Sequence, residues 1–194
     1  MRRFVLPLIV GLMLGTASPA PATGWTVTPG GNITASGGDV SFYFPETGFE
    51  WYCESLALPG VAPTVGNPVA VFPETPGVQF SDCSGPLGFA PEYVQIGDWT
   101  MHAQTYDAAT DVVTGTIPDV SFAWTGPACE ATFSGSLDFR YHNGNGQLEI
   151  LPNPTIDDIS VDPNNDCFGA LDGATHATLG STLSVVPVQH IVPS

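Results

Sequence analysis

Residue types able to do chemistry are present in this sequence, but few stand at the spacings that chemistry needs. The four histidines, His102, His142, His176 and His190, are far apart in the chain. No serine occupies the G-x-S-x-G turn that lifts a nucleophile out of a sheet. Ser134 and Ser136 flank Gly135 inside a β-type pattern, where glycine marks a bulge or bend. No nucleophile–base–acid arrangement is legible, and the histidines read as surface or hydrogen-bonded residues. Glu130, Asp138 and Glu149 could supply an acid–base pair for glycoside hydrolysis. With 19 acids in the chain, however, some pair falls at a workable separation by chance. Catalytic residues are therefore expected to be absent.

Two further groups could bind rather than react. Asp162-Pro-Asn164-Asn-Asp166 has the D-x-N-x-D spacing that opens a calcium loop, which makes Asp162, Asn164 and Asp166 the metal candidates. The rest of the loop departs from the pattern: Cys167 stands where glycine is needed and Gly173 where a bidentate glutamate is needed. Asp157-Asp158 adds oxygens without geometry. The preferred reading is a turn that presents Cys167, with no metal and no cofactor. Phe49, Trp51 and Tyr52 beside Cys53 could form a platform for a sugar or polymer, or pack over a disulfide. Packing is the preferred reading. Asn32-Ile33-Thr34 is an N-glycosylation sequon.

Charge narrows the partners. The 194 residues contain no lysine, and Arg2, Arg3 and Arg140 are the only arginines, giving a net charge of −16. Such a surface has nothing to neutralise phosphates, which excludes nucleic acid and electrostatic attachment to anionic lipid. Arg2 and Arg3 begin a secretory signal. Phe4 to Gly15 is an apolar run of about 12 residues, too short for the ~20 that span a bilayer, and Ala20-Pro21-Ala22 supplies the small residues a signal peptidase accepts. Residues 1–22 are thus expected to form a cleaved signal helix. A secreted domain, 23–194, then carries Arg140 as its one arginine, and loss of Arg2 and Arg3 takes the net charge from −16 to −18.

Carboxylates in that excess cannot be paired off, and their repulsion must be offset. Cys53, Cys83, Cys129 and Cys167 are even in number and bound for an oxidising compartment, so disulfides are expected rather than zinc, for which no CxxC exists. Three connectivities are open. Sequential pairing would close loops of about 30 and 38 residues, each stabilising by roughly 3.5–4 kcal/mol on chain-entropy arithmetic.

The elements that would position these residues are all β. Gly numbers 22 and Pro 19, about a fifth of the chain, which argues against a mainly helical fold. Residues 99–117 predict a hairpin, with Trp99, Met101, Ala103 and Thr105 on one face and a turn at 107–111 that needs a left-handed residue at Asp111. Residues 136–151 predict another, turning at 142–146. Further strands are expected at 25–28, 40–44, 69–72, 78–80, 93–96, 120–124, 156–161 and 175–186. Residues 50–58 fit a short helix or a strand, ended by Pro59-Gly60. The fold class is all-β: an antiparallel sandwich or barrel-like sandwich in one domain. Val40-Ser41-Phe42 before Cys53 and Val120-Ser121-Phe122 before Cys129 raise the possibility of two related halves, each with one disulfide.

A resemblance rests on short motifs spread over nearly the whole chain after the leader. They are Trp25-Thr-Val-Thr-Pro-Gly-Gly31, Cys53, Cys83-Ser-Gly-Pro86, Thr105-Tyr-Asp-Ala-Ala-Thr110 with Thr114-Gly-Thr-Ile117, Gly126-Pro-Ala-Cys129-Glu-Ala131, Asn143-Gly144-Asn145-Gly146-Gln147-Leu148 and Cys167-Phe-Gly169. In this order the chain resembles a group of small exported actinobacterial proteins with no assigned activity. Asp111, where that pattern has glycine, and the stronger acidity are departures. The resemblance implies an exported, cysteine-bridged β-protein and no catalytic residues. The function expected is a monomeric, secreted binding or structural module with an extracellular ligand or cell-surface partner. The alternative is a secreted hydrolase using paired carboxylates.

Overall fold

The computed structural model describes residues 24–85, 88, 90–152 and 156–194; residues 1–22, expected as a cleaved signal, and Pro86 lie outside them. Thirteen strands follow in order: β1 (Trp25–Thr28), β2 (Gly31–Phe44), β3 (Phe49–Ala62), β4 (Ala70–Phe72), β5 (Gln79–Ser84), β6 (Glu92–Gln95), β7 (Trp99–Asp107), β8 (Val112–Gly126), β9 (Cys129–His142), β10 (Gln147–Ile150), β11 (Ile156–Asp166), β12 (Thr178–Val186) and β13 (His190–Pro193). The fold is all-β. Eight strands close on themselves in the order β2-β3-β4-β7-β8-β9-β10-β12, every pair antiparallel.

Four of these strands are long enough to outrun the barrel, and above it they build a sandwich. The first sheet there is β5-β3-β2-β12 and the second is β6-β8-β9-β11. Alternation explains the interior. Phe42, Phe44 and Trp51 point inward from the first sheet and Phe122, Trp124 and Phe133 from the second, all fully buried. Their rings interlock, with Trp51 and Trp124 centroids 4.9 Å apart and Phe122 stacked on Phe133 at 4.9 Å. At the other end β1 and β13 pair only with each other and cover the barrel with Trp25, Val27 and Ile191. Asn143 holds this cover: its amide donates to the Ile191 carbonyl and accepts from the Ile191 N–H.

Prolines fall where strands change partners. Pro59 sits between the part of β3 paired with β5 and the part paired with β4. No partner is paired with it on that edge, so the missing N–H costs no bond there, and the strand runs on through Pro59-Gly60 rather than ending there. Pro118 has the same place in β8, between the β7 and β6 pairings. The segment 50–58 is strand throughout. The pairs β8–β9, turned by Pro127-Ala128, and β2–β3, turned at 45–48, are longer hairpins that the sequence reading missed. Thr105 is exposed rather than on the face of Trp99, because a bulge between Ala103 and Thr105 rotates the strand. The His190–Pro193 strand was not anticipated, and the strand expected from Thr175 begins at Thr178.

The plan is repeated. Hairpin β2–β3 is extended by β4 and β5, both on β3; hairpin β8–β9 is extended by β10 and β11, both on β9. Next, β7 joins β4 to β8, and β12 joins β10 to β2. Each half carries one disulfide, Cys53–Cys83 across β3 and β5 and Cys129–Cys167 from β9 to the end of β11. Asp39-Val40-Ser41-Phe42 and Asp119-Val120-Ser121-Phe122 take matching positions, each with its aspartate at a φ near +55°. Gly37 and Gly115 also match: a Cβ at either would collide with a backbone carbonyl, of Thr182 or His102, where the neighbouring strand bulges in.

Candidate functional site

An open groove of about 730 Å³ lies where the two halves meet. Its lining comes from the β2–β3 hairpin end (Gly48, Phe49, Glu50, Tyr52), the exit of β5 (Ser84, Gly85) and the turn after β11 (Cys167, Phe168, Ala170). That volume is within the range of small-molecule pockets. The wall is mostly apolar, and three aromatic side chains stand exposed on it: Phe49, Tyr52 and Phe168 at 38%, 38% and 55%.

Strand alternation sets the floor and rim. Trp51 and Cys53 turn into the core, so Glu50, Tyr52 and Glu54 must face outward, beside Ser41 and Tyr43 of β2 and Asp82 and Ser84 of β5. The outer face of the first sheet is thus aromatic and acidic together. Tyr52 donates its hydroxyl to Asp39, and this bond to a carboxylate holds the phenol above its ordinary range. The Trp51 indole N–H has no hydrogen-bond partner among the described residues and ends against Gly85, where any side chain would collide with it.

The opposite wall is held by a tight turn. Cys167 and Phe168 both have φ near +60°, a region that side chains of their kind rarely adopt. Asp166 accepts the Gly169 N–H, and the Cys167 N–H bonds the Ala128 carbonyl. A clasp ties this segment to the hairpin end: Glu46 accepts the Thr175 hydroxyl at 2.7 Å and pairs with His176 Nδ1. The Thr175 bond, then the His176 bond, lower the Glu46 carboxyl to about 2.

The residues singled out from sequence have these places. Phe49, Trp51 and Tyr52 divide the two roles weighed for them, Trp51 packing in the core and the other two lining the groove. Asp162 Oδ1 accepts the Asn164 N–H at 2.7 Å and its side-chain amide at 3.3 Å, and Asp166 Oδ1 accepts the Gly169 N–H, so each aspartate bonds its own turn. Among the described residues no three metal-ligating side chains converge. His102 meets Thr100, His142 meets Glu149, and His190 lies 3.8 Å from Asp111. The Thr175 hydroxyl and Glu46 both meet the same Nδ1 of His176, which leaves no relay through the ring. Arg140 pairs with Glu149 at 3.0 Å, and no carboxylate is buried among the described residues. Asn32 of the sequon is exposed. No helix of the described residues is long and apolar enough to cross a membrane.

Sequence reasoning missed Phe168, Ser84, Gly85 and the acidic companions of Tyr52. Reading 49–54 as strand would have put Glu50, Tyr52 and Glu54 on one face. Fold and groove together define a class: a disulfide-stabilised β-barrel that opens into a sandwich with an aromatic groove at its free end. Comparison with family models, curated proteins and solved structures finds no match to this chain.

Proposed function

We propose that this is an exported, non-enzymatic binding protein whose ligand lies in the groove between Phe49, Tyr52 and Phe168. The observation that carries the reading is the groove itself. Apolar rings left in water at one place, on a scaffold that buries every tryptophan, are the feature this surface has for recognition. Export is supported by the leader at 1–22, by two disulfides and by the acidity. The resemblance to exported actinobacterial proteins fits the same reading. A binding rather than hydrolytic role is supported by carboxylates that face solvent, since a general acid needs an apolar surrounding to keep its proton at neutral pH.

The test is depletion of purified protein from solution by insoluble surface material of the producing cells. Wild-type protein should be depleted, and the Phe49→Ala/Tyr52→Ala double variant should remain in solution with its melting temperature unchanged. Equal depletion of the two would place the binding surface elsewhere.

A further inference from the structure

Resting on that reading of the groove, we infer that its occupant is a peptide segment bearing lysine side chains. Three observations converge. First, Tyr43 and Tyr52 stand among carboxylates that pair with no cation among the described residues: Glu50 lines the groove, and Asp39, Glu54 and Asp82 lie on the same outer face. Aromatic faces and carboxylates together suit an ammonium group on an aliphatic stem. The methylenes lie on the rings, and the charge meets both the ring face and the carboxylate.

Second, the described residues offer no competing cation. They include no lysine, and Arg140 is engaged by Glu149 on the other half. The histidines are equally committed: His176 is clasped to Glu46 at the hairpin end, His142 to Glu149, His190 lies beside Asp111 and His102 beside Thr100. A field of this sign repels anionic ligands and second copies of the same chain, and it draws in basic segments.

Third, the groove restricts how a partner is read. At Tyr52 β3 is paired on both edges, with Ser41 of β2 and Ser84 of β5, so a partner meets that part of the groove through its side chains rather than as an added strand. The mostly apolar wall favours lysine over an amino sugar, whose ring hydroxyls would lose water without gaining partners.

The probe is capped pentalysine, followed by amide chemical shifts and by affinity at physiological salt. Its Nε-acetylated counterpart and a glucosamine hexamer serve as the comparison ligands. Pentalysine should shift the amides of Phe49–Tyr52, Ser84, Gly85 and Phe168. Glu50→Gln should weaken it by at least about tenfold, as expected for loss of one charge-assisted contact. Glu130→Gln removes the same charge from the second half and should weaken it by less than about twofold, the size of a screened distant charge. Equal weakening by the two variants would mean attraction to the general field and overturn the inference. So would equal binding of the acetylated peptide, or groove shifts with the glucosamine hexamer alone, although the groove reading would survive both. Groove amides unmoved by all three ligands also overturn the lysine assignment, and surface depletion of the Phe49→Ala/Tyr52→Ala variant then decides the groove reading separately.

Discussion

The two halves of the molecule share a plan and an interior but not a surface. Both use a long hairpin whose first strand carries Asp-Val-Ser-Phe with the aspartate left-handed, and each contributes two phenylalanines and one tryptophan to the six buried rings. Outside, they part. The first sheet presents Tyr43 and Tyr52 among Glu50, Glu54, Asp39 and Asp82, with Phe49 exposed at the hairpin end. At the matching positions the second sheet presents Ser121, Ala123 and Thr125 against Ser134, Thr132 and Glu130, with the two serine hydroxyls 3.2 Å apart. The seams differ as well. In the second half, backbone bonds in both directions join Ile156 to Ala177. In the first, β5 and β6 meet through the Phe80 and Tyr93 rings at 4.6 Å. Packing constrains the inner positions of both hairpins alike, whereas outward positions can diverge at little cost to the fold. The proposed groove lies on the sheet that carries the exposed aromatic rings.

The comparison breaks most directly at the disulfides. Closing 30 and 38 residues, the two bonds should stabilise almost equally on loop entropy, by roughly 3.5–4 kcal/mol each. Denaturant unfolding of the Cys53→Ser/Cys83→Ser and Cys129→Ser/Cys167→Ser pairs should show similar losses. Ligand binding should suffer more from the second pair, because Cys167 lines the groove and its turn presents Phe168. A loss confined to one pair would show that the halves are not equivalent in stability.

A smaller effect separates the halves by pH, at the clasp that joins them. Glu46 has its pKa lowered from 4.5 to about 2 by the Thr175 hydroxyl and then by His176. A lowered folded pKa means stability that is present above about 4.5 and is lost as pH falls from there toward 2. The clasp is exposed, so solvent screening keeps the effect modest. Wild-type protein should melt higher than Glu46→Gln at pH 6, with the difference narrowing as the pH falls toward 2. A difference independent of pH would assign the clasp to shape rather than charge.

Much of this architecture was legible, and the illegible parts have physical reasons. Alternation located both expected hairpins and placed Trp99, Met101 and Ala103 inward, and Asp111 has the left-handed φ its turn requires. The longest hairpin was hidden because Pro127-Ala128 is not an obvious turn pair and Ala128 takes a positive φ. Pro59-Gly60 looked like a break and marks a change of partner, and Gly37 marks a close strand approach. Both are properties of neighbours that no local pattern contains. The groove was half visible. Phe49 and Tyr52 stood out beside Cys53, but Phe168 reaches them only through the path of the chain after the second disulfide.

The smallest expected effect probes the acidic face itself. Glu54 and Asp82 lie on adjacent strands between the Cys53–Cys83 and Ser55–Ser81 pairs, so two like charges face outward side by side. The matching strands β9 and β11 bring Thr132 opposite Ser160 and Ser134 opposite Asp158, with no such pair. Like charges facing across a sheet destabilise, so Glu54→Gln should raise stability at 0.01 M salt by on the order of 0.3 kcal/mol. Glu130→Gln, opposite Thr125, should change it less. Screening should erase the gain, because the Debye length shrinks from about 30 Å at 0.01 M to about 10 Å at 0.1 M. The wild-type melting temperature should rise with NaCl over the same interval. Calcium chloride at matched ionic strength should add nothing more, since Asp162 and Asp166 are bonded within their own turn. A calcium-specific increment would reopen the site at Asp162, Asn164 and Asp166. Insensitivity of both wild type and Glu54→Gln to salt would show that the first sheet tolerates its acids at no cost, leaving ligand binding as the only test of why they are gathered there.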